Sequence, residues 1–195
     1  MMQTLSIVVI VTLAIIANIN GDHDKLEYTV LSASGVDIQH ADIIPMPIIN
    51  PGEAFLTFKA HLKRPIQKIR VVLKIVRTVA GIALPIKCYK VDGIFVGSCD
   101  YEDLCLVLKS LLPSFKPETC PPPMLQYNID CNCPFNIPVG QLDIIKERLE
   151  LPDAHASIAN FMAVGTFSIQ IDAFDSGPYA SIIIKFTVKA AKSSG

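Results

Sequence analysis

Six cysteines are the residues of this sequence whose types and spacing most clearly imply chemistry. In an exported chain, an even number of cysteines within a short window predicts disulfide bonds, here three. The alternative is a zinc site, but the C-x-C pair differs from the usual C-x₂₋₄-C spacing and no histidine lies near it. We therefore expect neither a metal nor another cofactor. The six residues are Cys88, Cys99, Cys105, Cys120, Cys131 and Cys133.

The first residues of the chain supply the evidence for export. Residues 5–17 form an apolar run that is interrupted only by Ser6 and Thr12. This run is too short to span a bilayer and has the length of a signal-peptide core. We predict a signal peptide over residues 1–21 and a single domain over residues 22–195. A buried N-terminal strand or helix is the alternative.

The sequence offers no pattern typical of an active site. Its four histidines, His23, His40, His61 and His155, are scattered and lack a nearby partner of catalytic type. It contains no G-x-S-x-G, H-E-x-x-H, phosphate-loop or G-x-G-x-x-G motif. The formal charge of −1 gives no basic field for nucleic acid. We expect a protein that is not an enzyme and does not bind nucleic acid.

Apolar side chains alternate with polar ones along most of the remaining chain. The sequence is 51% hydrophobic and its mean hydropathy is +0.44, more than one small core requires. The alternation is clearest in residues 54–62, 67–77, 167–172 and 180–188. A period of two predicts antiparallel strands with one buried and one solvated face. The sequence therefore predicts an all-β sandwich or cup.

One segment departs from this alternation. Apolar residues at spacings of three and four predict one short helix over residues 101–112, with Asp100 as its N-cap and Pro113 ending it. Residues 113–138 then contain seven of the fourteen prolines and three cysteines. Because proline cannot donate to a central ladder, this segment is predicted to be a disulfide-stapled loop region and not a second domain.

Two apolar segments are candidate contact surfaces. Residues 78–85 read TVAGIALP and residues 158–164 read IANFMAV. Loops are normally polar, so an apolar loop marks a membrane or partner contact. The alternative for both segments is that they are the buried ends of strands.

Several motifs together resemble a known family. The runs are GSCDYEDLC at residues 97–105, CP at 120–121 and CNCPF at 131–135, with further matching residues at 47–52, 79–81, 86–88 and 149–152. In this order they are similar to the ganglioside activator protein family. That family comprises sphingolipid activators of lysosomal β-hexosaminidase and lies within the ML-type lipid-recognition superfamily.

The resemblance implies a secreted or lysosomal β-cup with a large apolar lipid cavity. Such a protein would extract a glycosphingolipid from a membrane and present it to β-hexosaminidase, as an activator in ganglioside catabolism. The implied disulfides are Cys88–Cys99, Cys105–Cys133 and Cys120–Cys131. The implied membrane rim comprises Val79, Ile82, Leu84, Phe161 and Met162. The implied cavity wall comprises Leu56, Phe58, Ile69, Val71, Leu73, Phe167, Ile169, Ile182, Ile184 and Phe186.

The chain also departs from the family pattern. The family has eight cysteines, and its further bridge joins the N-terminal strand to the C-terminal hairpin. Here Ser181 stands at the C-terminal position and no cysteine lies near Ser32, while residues 91–94 lengthen the Cys88–Cys99 loop. Rim tryptophans and an N-x-[ST] sequon are absent. The alternative function is an extracellular carrier or chemosensory-type binder of small hydrophobic ligands without an enzyme partner. A lipase-like enzyme is a third, weaker reading.

Overall fold

A computed structural model of the protein describes residues 24–91, 93–111, 115–120, 122–126, 129, 131–151 and 164–191. The predicted signal peptide lies outside these residues. The described part contains twelve β-strands, one two-turn α-helix and two shorter helical turns. The strands are β1 Glu27–Ala33, β2 Val36–Ile44, β3 Ile48–Asn50, β4 Gly52–Leu62, β5 Arg70–Val79, β6 Ile82–Ile86, β7 Tyr89–Val91, β8 Ile94–Val96, β9 Asp100–Tyr101, β10 Gly140–Leu151, β11 Gly165–Phe174 and β12 Pro178–Ala190. The helices are α1 Leu104–Leu111, a 3₁₀ turn Pro117–Thr119 and α2 Pro122–Leu125.

The larger of the two main sheets has the strand order β1-β12-β11-β5-β6, and all of these pairs are antiparallel. The short strand β3 pairs with β12 in parallel, and β9 pairs with β5. The predicted strands at 67–77, 167–172 and 180–188 are found here as β5, β11 and β12. Ile69, which the sequence placed in its strand, precedes β5 and is buried.

The smaller main sheet has the order β10-β4-β2. Its central strand β4 contains the alternating segment 54–62, in which Ala54, Ala60 and Leu62 are buried. Both outer strands carry a bulge, between Ile38 and His40 in β2 and between Ile144 and Glu147 in β10. A bulge inserts one residue and reverses the phase of the side chains that follow it.

At one side the two sheets are joined closely. β1 leads into β2 through Gly35, whose amide donates to the Tyr179 carbonyl at 2.9 Å and whose carbonyl accepts from the Lys63 amide at 2.8 Å. In the described part of the chain, β6 and β10 are the outer strands at the opposite side and do not pair with each other. An isolated bridge between Ile66 and Ile137 joins the segment after β4 to the segment before β10.

The stapled segment closes one end of the two sheets. Three disulfides join Cys88 to Cys99, Cys105 to Cys133 and Cys120 to Cys131, which are the pairs that the resemblance implies. Their sulfurs leave no thiolate for a metal ion. We call the buried residues at this end the base cluster: Val36, Ala60, Leu62, Ile69, Val71, Cys105, Phe115, Cys120, Cys131, Phe135, Ile137 and Tyr179.

The helix starts later than the sequence predicts. α1 begins at Leu104 and not at residue 101, and the Cys105 amide donates to Asp103 Oδ1 at 2.9 Å, so the capping carboxylate is that of Asp103. The prediction of Asp100 as N-cap is wrong because Asp100 pairs with Val72 in β9 and accepts a hydrogen bond from Arg70 Nε at 2.8 Å. The predicted helix stop at Pro113 lies outside the described residues.

Two segments expected as loops are partly regular. The stapled region contains the 3₁₀ turn and α2, because proline is tolerated in the first turn of a helix. The extension of the Cys88–Cys99 loop is a hairpin formed by β7 and β8. In the described part of the chain, these two strands form a separate two-stranded sheet.

Candidate functional site

The inner faces of the two sheets are nearly continuous apolar surfaces. On β5, β11 and β12 the inner residues alternate with polar ones such as Lys74, Gln170 and Lys185. Cross-strand pairing places them in rows, for example Leu73 beside Ile171 and Ile171 beside Ile182. On the smaller sheet, Phe58 of β4 lies between Ala41 of β2 and Ile144 of β10.

Burial along these faces is uneven in an unusual way. Side chains at the two ends are fully buried, in the base cluster and in a second group that we call the hairpin-end cluster: Ile48, Ile75, Phe167, Phe186 and Val188. Between the clusters, the facing apolar side chains are only half-buried, and several of them, such as Leu73, Ile169 and Ile184, also pack against one or both clusters. In a filled two-sheet sandwich the inner side chains interdigitate and exclude water. The half-buried residues are Leu56, Phe58, Leu73, Ile144, Ile169, Ile171, Ile182 and Ile184.

The ten residues predicted to line a cavity divide into two groups. Ile69, Val71, Phe167 and Phe186 are buried within the two clusters. The other six are half-buried and lie between the clusters: Leu56, Phe58, Leu73, Ile169, Ile182 and Ile184. The first group consists of packing residues at the two ends, whereas the second group faces the middle of the interior.

Sequence reasoning missed the contributions of β2 and β10 to the interior. Ile38, Ala41 and Ile43 of β2 and Leu142, Ile144 and Leu149 of β10 pair with inner residues of β4. A regular alternation would have identified them, but the bulge in each strand interrupts it.

The apolar segment 78–85 is a tight hairpin. The prediction of a loop is wrong, because β5 and β6 pair up to Val79 and Ile82, and Ala80 and Gly81 form the turn with φ values of 49° and 79°. Two consecutive positive φ values are typical of the type I′ turns that join antiparallel strands. The alternative of buried strand ends does not describe the segment either, since Val79, Ile82 and Leu84 are 38%, 63% and 48% exposed. We call these three residues with the turn the rim hairpin.

The neighbouring chain extends the rim hairpin. Val164 is exposed, and its carbonyl accepts hydrogen bonds from Arg77 Nε at 3.0 Å and Arg77 Nη2 at 2.6 Å. Arg77 pairs with Leu84 on one side and Phe167 on the other. The predicted rim residues Phe161 and Met162 lie outside the described residues.

One charged side chain belongs to the inner face of the smaller sheet. Glu147 of β10 pairs with Leu56 of β4, an inner residue, and is half-buried. The bulge in β10 causes this placement. Two residues of β10, Ile145 and Lys146, lie opposite the single residue Thr57 of β4, and Lys146 has a φ of 50°. The next residue, Glu147, therefore returns to the inner face. The sequence contained no signal for this placement, because the phase of β10 depends on the bulge.

On the outer face of the larger sheet, Ser181 donates a hydrogen bond to the Asp172 carboxylate. This bond, aided by Gln170 and Lys74, holds the pKa of Asp172 below its ordinary value. Ser181 is also the cross-strand partner of Ser32. Ser181, which the resemblance places at one half of the further bridge, is therefore adjacent in space to the segment around Ser32.

A polar groove of about 480 Å³ lies at the end of β5 opposite the rim hairpin. Within it, Arg70 forms a salt bridge with Asp100, stacks over the Phe174 ring at 5.4 Å and lowers the pKa of Asp100 through the hydrogen bond that it donates. These contacts tie β5, β9 and β11 together. The groove is lined by Lys68, Arg70, Asp100, Glu102, Phe174, Asp175 and Ser176.

The described helices do not include one that is long and apolar enough to cross a bilayer. Within the same residues, no group of three or more histidine, cysteine or acidic side chains could hold a metal ion. The histidines in this part of the chain, His40 and His61, are exposed on the outer face of the smaller sheet.

Comparison with known proteins identifies relatives. The ganglioside GM2 activator of Macaca fascicularis is 30% identical over 137 residues, which are 68% of this chain and 65% of that protein. The ganglioside GM2 activator of Mus musculus is 28% identical over 136 residues, or 68% of this chain and 64% of that protein. The chain thus spans just under two thirds of the length of these relatives.

Two further comparisons complete this result. No protein-family model matches the chain. Among solved structures, a Niemann-Pick type C2 protein from the Japanese carpenter ant aligns with 85% of this chain and 99% of its own, with a TM-score of 0.40 and 10% identity. The sequence motifs, the three disulfide pairs and the curated relatives agree, and the chain belongs to the ganglioside GM2 activator family.

Proposed function

We propose that this protein binds a lipid between its two sheets, extracts it from a membrane and presents a glycosphingolipid to a hydrolase, without being an enzyme itself. The observation that carries the proposal is the half-burial of the apolar side chains between the two clusters, such as Leu73, Ile171 and Ile182. Apolar residues that face each other across an interior without covering each other leave room for an apolar ligand. In the described part of the chain β6 and β10 do not pair with each other, which supports a route of entry between them.

The energetics favour such a task. Each CH₂ moved from a bilayer into water costs about 0.8 kcal/mol, so exposing a ~16-carbon chain costs on the order of 12 kcal/mol. An aliphatic interior offsets most of this cost without any catalytic group. The activity therefore requires shape, an apolar lining and access, and no reactive side chain.

The test is capture of lipid by the purified protein. After incubation with vesicles of phosphatidylcholine and ganglioside, and removal of the vesicles by gel filtration, native mass spectrometry should find protein carrying one intact lipid. Addition of β-hexosaminidase should then increase hydrolysis of the captured ganglioside. Protein that emerges without lipid would contradict the proposal, as would lipid cleaved by the protein alone.

We propose that the rim hairpin is the membrane contact. Changing Ile82→Asp and Leu84→Asp should reduce vesicle binding by at least tenfold, since each exposed aliphatic side chain that enters the bilayer contributes about 1–2 kcal/mol. Because both side chains are largely exposed, the free energy of unfolding should change by less than about 1 kcal/mol. Vesicle flotation and chemical denaturation measure the two quantities.

A matched control uses two similarly exposed leucines, one in α1 and one in α2. Leu106 and Leu125 are 55% and 51% exposed, so Leu106→Asp with Leu125→Asp removes similar apolar surface far from the hairpin. Vesicle binding of this variant should remain near that of the wild type. Equal losses in the two double variants would refute a specific rim, and a large loss of stability on changing Ile82 and Leu84 would show that they are packing residues.

The proposed compartment is extracellular or lysosomal, through the signal peptide over residues 1–21, and the proposed structural unit is one domain over residues 22–195. A secreted carrier of small hydrophobic ligands without an enzyme partner remains the second candidate. The half-buried aliphatic interior would suit a single-chain ligand equally well. Fatty acids or other small apolar molecules in protein purified from its native source, with no stimulation of β-hexosaminidase, would favour that candidate.

A further inference from the structure

Glu147 is the acidic residue that the described part of β10 places on an otherwise apolar inner face. Its neighbours in that face are Leu56 across the ladder and Ile144 and Leu149 along its own strand. It is half-buried, and it has neither a hydrogen-bond nor an ion-pair partner among the described residues. Its carboxylate oxygens are not among the buried side-chain atoms of the described residues, so water reaches them and the polar group of a ligand can replace that water.

The bulge makes this placement specific. Without it, Lys146, Arg148 and Glu150 would follow Ile144 on the inner face, and Leu149 would point outward. With it, Leu149 pairs with Ala54 inside and Arg148 pairs with Phe55 outside. The inner face of β10 therefore excludes its own cations and retains one carboxylate. On the larger sheet, Arg77 is in register with the inner residue Phe167, but its guanidinium is engaged by the Val164 carbonyl.

Glu147 also lies at the accessible side of the interior. Within the described residues, β4 is the ladder partner of β10, and β10 lies on the side where β6 is the outer strand of the larger sheet. Ile43 of β2, Leu56 of β4 and Glu147 of β10 form one row across the smaller sheet. Because Ile43 packs against the hairpin-end cluster, this row, including Glu147, lies at the level of that cluster. At this level an amphiphile whose chain fills the half-buried middle would have its polar end near the rim hairpin.

We propose that Glu147 accepts a hydrogen bond from the polar end of the bound amphiphile and so selects ligands whose polar end donates, an ammonium or a hydroxyl, over ligands that end in an anion. This inference rests on the proposed lipid-binding function and specifies which polar group the site prefers. An inward-pointing charge and a bulge on an edge strand also prevent pairing with other chains. The experiment must therefore separate ligand selection from edge protection.

The probes are three twelve-carbon amphiphiles used below their micelle concentrations: dodecylammonium, dodecanol and dodecanoate. Their affinities are measured by displacement of a neutral fluorescent reporter from the full-length mature protein. The wild type should bind dodecylammonium at least about tenfold more tightly than dodecanoate, the size expected for a charge-assisted hydrogen bond against a charge repulsion. Dodecanol should lie between them.

Glu147→Gln should reduce the ammonium-to-carboxylate preference to less than about threefold while leaving dodecanol within about threefold of the wild type. Asp143→Asn removes the same charge from the outward face of the same strand, where Asp143 pairs with Lys59, and should keep the preference. Sedimentation of all three proteins monitors self-association. A preference that survives in Glu147→Gln, or that falls equally in Asp143→Asn, overturns the inference even if every probe binds. If none of the probes binds the wild type, the proposed function fails with it.

Discussion

A variant carrying Ser32→Cys and Ser181→Cys should form a fourth disulfide and gain about 3–5 kcal/mol in its free energy of unfolding. The two serines are direct cross-strand partners in β1 and β12. Partners in an antiparallel pair have Cα atoms roughly 4.5–5.5 Å apart, within the range that a disulfide spans. The new bridge would close a loop of about 150 residues, and in the chain-entropy model long loops give the largest stabilisation.

The loss of one hydrogen bond opposes this gain. Ser181 would lose the hydrogen bond that it donates to Asp172, at a cost of about 1 kcal/mol. The pKa of Asp172 would then rise toward its ordinary value. Because a lowered carboxyl pKa stabilises the fold at higher pH and this stability is lost as pH falls through that pKa, the variant should show a weaker acid dependence from this group.

The control for the new bridge is Ser32→Ala with Ser181→Ala, which loses the same hydroxyls without adding a cross-link. It should be less stable than the wild type by about 1 kcal/mol. Denaturant unfolding under non-reducing conditions compares the three proteins, and thiol titration confirms closure of the bridge. Free thiols at positions 32 and 181, or a bridged protein no more stable than the alanine control, would refute the prediction.

The second large effect is a destabilisation of about 2–4 kcal/mol in Gly35→Ala. A Cβ atom at Gly35 would lie 2.4 Å from the Tyr179 ring, where real atoms do not approach. The ring cannot move aside readily, because Tyr179 is buried, its hydroxyl donates to the Arg64 carbonyl at 2.9 Å and the Arg64 guanidinium lies 5.2 Å from the ring centre. Overpacking at a rigid site costs stability of this order.

Gly177→Ala is the matched control for this prediction. A Cβ atom at Gly177 would have no heavy atom within 4 Å, so its effect on unfolding should be below about 0.5 kcal/mol. Thermal unfolding of both variants gives the comparison. Equal stability of Gly35→Ala and Gly177→Ala would mean that the junction between β1 and β2 is not the rigid contact between the sheets that its hydrogen bonds indicate.

Several features of the fold depend on local chemistry and could be predicted from the sequence. The alternation in β4, β5, β11 and β12 reports directly which face of each strand is apolar, because successive side chains of any extended segment point to opposite sides. The cysteine motifs and their spacing led through the family resemblance to the same three pairs that the structure contains. The apolar composition of the rim hairpin is likewise a property of the sequence.

Other features depended on partners distant in sequence. Asp100 had the right type and position for an N-cap, but Arg70, thirty residues away, engages its carboxylate, and Asp103 caps the helix instead. The sequence did not reveal which residues of β2 and β10 face the interior, because a single extra residue in each strand reverses the alternation of apolar and polar side chains. The position of such a bulge is determined by pairing with β4, which no local pattern in either strand encodes.

The interior shows most clearly the difference between features set by local sequence and features set by distant contacts. The sequence pattern around Leu73, Ile171 and Ile182 would be the same in a tightly filled interior and in an open one. Their period identifies them as inward-facing, and their half-burial comes from the arrangement of the two sheets around them. The sequence alone thus determined which side chains face the interior, because side-chain direction is local. Only the tertiary structure decided how far the interior is filled and that Glu147 belongs to it, because the separation of the sheets and the register of β10 arise from contacts between distant parts of the chain.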